Sequence, residues 1–112
     1  MKRIALVFAA LALGGVAAQA AEPVLGSWTT ARGETAKISA CGGAYCITIV
    51  TGKFSGRQIG RMSGSDGSYS GEITDPVADK TYSGSATVTG ASLKLTGCAL
   101  KIFCKSQTWS KQ

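Results

Sequence analysis

Polar and apolar residues alternate one by one through most of this chain, in short runs cut by glycine. A period of two builds half-buried β-strands and cannot build an amphipathic helix. Thr35 to Ala40 sends Ala36, Ile38 and Ala40 to one face and Thr35, Lys37 and Ser39 to the other. Tyr45 to Thr51 groups Tyr45, Ile47 and Ile49, and Gly42-Gly43 between the two runs predicts a hairpin turn. Ser68 to Thr74 sets Tyr69, Gly71 and Ile73 against Ser68, Ser70, Glu72 and Thr74. Thr81 to Val88 groups Tyr82, Gly84, Ala86 and Val88 in the same way, with Asp75 to Lys80 as the intervening turn. Both runs carry Tyr-Ser-Gly, thirteen residues apart. Two copies are too few for a repeat architecture, so they read as neighbouring strands of similar composition. Gly90-Ala91 leads into Ser92 to Thr96 with Leu93 and Leu95 inward, and the last strand runs through Ser106 to Trp109.

No window after the first twenty residues holds a helical period. The expected fold is therefore all-β: a small single-domain antiparallel β-barrel, or a strongly curved sheet, of about seven or eight short strands. Its inward residues are small, with Ala36, Ala40, Gly71, Gly84 and Ala86 beside a few Ile, Leu and aromatic side chains. Either the barrel is narrow or its middle is open.

The first twenty residues follow a different rule. Met1-Lys2-Arg3 is a basic start, Ile4 to Ala18 is almost wholly apolar, and Ala18 and Ala20 are small residues at the minus three and minus one positions of a cleavage site. That is the pattern of a secretory signal peptide over residues 1–20, leaving 21–112 as the domain. A membrane span would need about 20 apolar residues with flanking anchors. A lipid anchor would need a cysteine at the cleavage site, and the first is Cys41. The expected location is periplasmic or secreted, with no membrane anchor.

Removing twenty of 112 residues leaves 92, enough for one small domain. The net charge of +6 falls to +4 once Lys2 and Arg3 are gone, and the remaining basic residues are scattered singly from Arg32 to Lys111. Nucleic-acid binding needs clustered Lys and Arg with interleaved aromatics, so no nucleic-acid partner is expected. Four cysteines, an even number in an exported chain, predict two disulfides. Cys41 and Cys46 bracket one turn and Cys98 and Cys104 another. The local pairs Cys41–Cys46 and Cys98–Cys104 are expected, because each bracket puts its cysteines near opposite strand positions at disulfide distance. Zinc prefers shorter ligand spacings and often His, and there is no His anywhere.

The absence of His also leaves Ser and Cys without their usual base. The carboxylates are Glu22, Glu34, Asp66, Glu72, Asp75 and Asp79. Glu22 falls at an N-terminus expected to fray, Glu72 on a polar strand face, and Asp66, Asp75 and Asp79 in turns, where acidic residues ordinarily serve as turn formers. Ser65-Asp66-Gly67-Ser68 lacks the oxygen density of a calcium loop. No enzyme, metal or cofactor is expected.

Gly26-Ser27-Trp28, Gly33-Glu34 with Ile38, the Cys41–Cys46 bracket, Asp75-Pro76 with Lys80-Thr81-Tyr82, and Gly97-Cys98 through Cys104-Lys105-Ser106-Gln107-Thr108-Trp109 occur in that order. Together they resemble the bacterial exported family called domain of unknown function 2147, and they span nearly all of the chain after residue 20. The chain departs from that family at Thr51 to Arg61, which is short and lacks an Asp/Asn-Pro-rich stretch. It departs again at Lys111, where an Arg is usual. The Gly-x-Trp start with a basic residue near the last strand also looks like the closure of calycin-type barrels, the group that includes lipocalins. That likeness implies that Trp28 plugs one end of a barrel with Lys111 packed across its ring. Fold alone does not set function.

Two functions remain. In the first, the domain is a non-enzymatic binding protein, expected to be monomeric, that holds a small apolar or amphipathic ligand against Trp28, Tyr45, Tyr69 and Tyr82, the aromatics on the apolar strand faces. In the second, it is a compact envelope interaction protein, or an inhibitor of a secreted enzyme, that meets a partner protein through loops such as Gly52 to Gly60 and has no internal ligand. The volume inside the barrel separates them.

Overall fold

The computed structural model describes residues 22–99 and 103–112, so the expected signal segment 1–20 lies outside the described residues. Eight strands follow one another: β1 (Gly26–Thr29), β2 (Thr35–Cys41), β3 (Ala44–Ile49), β4 (Gln58–Ser65), β5 (Ser68–Asp75), β6 (Lys80–Thr89), β7 (Ser92–Ala99) and β8 (Phe103–Lys111). Each pairs antiparallel with the next, and β8 returns to β1, so the sheet is a closed barrel with no free edge. The closing seam is short: Trp28 faces Lys111 and Thr29 faces Ser110. Gln112 extends it, donating its backbone N–H to Ser27 and its side-chain amide to Thr29 and Thr35 hydroxyls. Among the described residues no helix is long and apolar enough to cross a membrane.

The alternation read from the sequence places most of the core. Ala36, Ile38, Ile47, Ile49, Tyr69, Ile73, Ala86, Leu93, Leu95 and Trp109 are all buried. Ala40 is exposed, because it lies one residue pair from the β2–β3 turn, opposite Tyr45. Gly71 is exposed as well. The Gly42-Gly43 turn has both residues at positive φ, 59° and 82°, as a two-residue hairpin requires.

The stretch expected to be a loop, Gly52 to Gly60, is one only as far as Arg57. Gln58, Ile59 and Gly60 already belong to β4, and Ile59 and Gly60 are buried. Thr48 pairs with Gln58 and Ile47 with Gly60, which makes Ile59 the extra residue of a β-bulge. A bulge breaks the period of two, so two adjacent residues turn inward and the alternation that marks the other strands is lost here.

The Tyr-Ser-Gly echo also has a structural meaning. Gly71 pairs with Gly84 and Gly84 with Gly97, forming a row of glycines across β5, β6 and β7. A Cβ on Gly84 would lie 2.5 Å from Ile73 Cδ1 and 3.2 Å from Met62 Cε. The space beside Gly84 is therefore filled by neighbouring side chains, which approach the backbone too closely to admit a Cβ there.

Both disulfides form as the local pairs. Cys98 and Cys104 are direct partners across β7 and β8, whereas Cys41 and Cys46 lie diagonally across the β2–β3 hairpin. The Arg61 guanidinium lies over the Cys41–Cys46 bridge, its Nη1 at 3.5 Å and 3.7 Å from the two sulfurs.

Candidate ligand cavity

The barrel has unlike ends. At one end, the N-terminal residues Glu22 to Leu25 fold under Trp28, whose indole N–H donates to the Val24 carbonyl at 2.9 Å. Trp28 is wholly buried. Lys111 packs its ammonium 4.7 Å from the centre of the Trp28 ring and donates to the carbonyl of Leu25 at 2.7 Å and of Pro23 at 3.4 Å. The cation thus ties the last strand to the segment before the first and faces an aromatic ring while doing so. Glu22 is not frayed. Its carboxylate accepts the Tyr69 hydroxyl at 2.7 Å and the Asp66 N–H at 2.8 Å. Burial, and then the bond to Glu22, push the Tyr69 phenol up to about 12. Tyr45 stands edge-on to Tyr69, ring centres 5.5 Å apart. This end is filled and closed.

The other end is open. A cavity of about 600 Å³ runs inward from the mouth, with Ile49, Ile59, Ile73, Tyr82, Leu95 and Trp109 on its walls and floor. The turns after β1, β3 and β5 stand around this mouth, and Arg57 and Asp79 form an ion pair between the second and third of them. Val77 and Phe103 at the rim are 64% and 67% exposed. The charged side chains on the lining are Arg32, Glu34, Asp75 and Lys105.

The four aromatics expected to form one ligand site are therefore divided. Tyr82 lines the cavity, while Trp28, Tyr45 and Tyr69 belong to the filled end. They share the inner face of the barrel wall with Tyr82 but differ in height along it, and alternation reports only the face. The small residues do not leave room beside those three; next to Gly84 the space is taken by Ile73 and Met62. Disulfide bonds at Cys41, Cys46, Cys98 and Cys104 frame the molecule, the second pair beside the cavity, which Cys104 touches.

Sequence reasoning passed over Lys105 and Gln107. They alternate with Trp109 on β8 and face Gly97 and Leu95 of β7, which point inward. Continuing the period back from Trp109 would have turned both toward the interior. Gln107 accepts the Trp109 indole N–H at 2.7 Å, which fixes the ring at the cavity floor. Ile59 was hidden by the bulge. Among the described residues, no three His, Cys, Asp or Glu side chains converge as a metal site would require.

Fold and cavity define a class: a small, eight-stranded, antiparallel barrel, plugged at one end, hollow at the other and pinned by two disulfides. The chain belongs to the family described as an uncharacterized protein conserved in bacteria, domain of unknown function 2147, whose family model matches residues 53–111. No curated protein and no solved structure matches it.

Proposed function

We propose that this protein is a non-enzymatic carrier or sensor that works in an oxidising compartment outside the cytoplasm and holds a small amphipathic molecule in the open half of its barrel. The cavity carries this reading: about 600 Å³, mostly apolar in its depth and open at one end. Ligand sites fall at about 300–1,000 Å³ with apolar walls and a few polar groups. A protein needing every apolar side chain for its core would have no such space to spare at this length. Two disulfides support the oxidising location, since such bridges persist outside the cytoplasm. The exposed Val77 and Phe103 favour one addition: a partner that meets the rim when ligand is taken up or released.

Calorimetric titration of the chain lacking residues 1–20 with decanol tests the proposal. One decanol bound per chain is expected, and Ile59→Trp, which fills the cavity, should abolish uptake while the circular dichroism of the barrel is retained. Failure of the parent chain to bind decanol or decanoate, or uptake undiminished in a folded Ile59→Trp variant, would remove the carrier reading.

A further inference from the structure

The charged groups around the cavity are not equivalent. Glu34 pairs with Arg32 at 3.9 Å. Asp75 spends its Oδ1 on the turn that follows it, accepting the N–H groups of Val77 at 2.8 Å and Ala78 at 3.3 Å. Asp75 is thus engaged by donors of its own turn, and Glu34 by a neighbouring cation. Lys105, by contrast, makes no hydrogen bond or ion pair among the described residues. It stands on the lining opposite Gly97, which has no side chain to crowd it; a Cβ there would meet only Tyr82, at 3.6 Å.

The inner face of β8 is also graded. From the closed end toward the mouth it presents the buried Trp109, then Gln107, then Lys105. Gln107 gives its carbonyl oxygen to Trp109, so its NH₂ group remains a donor on the same lining. Uncommitted donors near the mouth stand above apolar walls. An exposed cation at the mouth of an apolar cavity, with no partner of its own among the described residues, is completed by an anionic group that accepts its hydrogen bonds.

We propose that the ligand is an amphipath with a carboxylate head, held at the mouth by Lys105 with its chain running inward along Ile49, Ile73 and Leu95 to Trp109. This rests on the carrier reading above and adds the head-group chemistry to it.

Decanoate, decanol and decyltrimethylammonium share one chain and differ only in the head. Titrated into the parent chain and into Lys105→Gln, whose substituted side chain is exposed, they separate the two claims. Decanoate is expected to bind the parent about tenfold more tightly than decanol, the scale of one charge-assisted hydrogen bond. Lys105→Gln should erase that preference, leave decanol affinity unchanged and unfold at the same temperature as the parent. Equal affinity for decanoate and decanol, a preference that survives in Lys105→Gln, or tightest binding of the trimethylammonium would overturn the head-group assignment while the carrier stands. Binding of none of the three would bring down both.

Discussion

Tyr69 shows how a single side chain reports on the closed end. Its ring is 3% exposed and its hydroxyl donates to Glu22 while accepting the Gly67 N–H at 3.2 Å. Ionisation would put a phenolate, desolvated, beside a carboxylate, which is why the group is raised from 10.0 to about 12. A group whose folded-state value exceeds its unfolded one favours the folded state while it stays protonated. The contribution is therefore complete below pH 10 and is lost as the pH rises through 12. Urea unfolding across that window should show the parent losing stability faster than Tyr69→Phe, which cannot ionise there. At neutral pH the same variant should cost about 1 kcal/mol, the worth of one hydrogen bond. Parallel pH profiles for the two proteins would mean that burial and the bond to Glu22 do not raise the phenol. Neither Glu22 nor its partner was legible as a pair in the sequence, since they are 47 residues apart and nothing in a period of two connects them.

At the scale of strands, the sequence was most readable where it repeats. Five of the eight strands show a period of two plainly enough that their inward residues could be named, and the cysteine brackets gave both bridges. What escaped was β4, where a bulge at Ile59 and glycines at both Gly60 and Gly64 interrupt the pattern. The thirteen-residue echo was visible but its purpose was not, because a register between strands is a property of pairing. That register makes a comparison possible within one row. A Cβ on Gly84 drives into Ile73 and Met62, whereas one on Gly97 meets Tyr82 at ordinary contact distance. Gly84→Ala should therefore cost about 1–3 kcal/mol, as overpacking does, and Gly97→Ala less than about 1 kcal/mol. Chemical denaturation of the two variants checks the order. Equal losses would show that backbone conformation, rather than side-chain space, selects glycine along the row.

For the molecule as a whole, closure at one end and vacancy at the other follow from where the chain spends its large side chains. Trp28, Tyr45, Tyr69, Met62 and Leu93 crowd the plugged half, and Lys111 and Glu22 fasten it from the two ends of the described chain. The other half keeps Trp109 as a floor, and among the described residues no side chain covers the apolar walls above it. Which residues share a face could be read from alternation, but not which share a height. For that reason three of the four aromatics expected at the ligand, Trp28, Tyr45 and Tyr69, lie off the cavity lining. The asymmetry also makes the central claim testable at the level of single methyl groups. With isoleucine δ1-methyls isotopically labelled and decanol present, intermolecular nuclear Overhauser effects are expected at Ile49, Ile59 and Ile73, which line the cavity, and not at Ile38 and Ile47, which lie in the core and off its lining. Effects at Ile38 and Ile47 equal to those at the cavity residues, or none at any isoleucine with decanol in excess, would contradict a ligand-holding barrel.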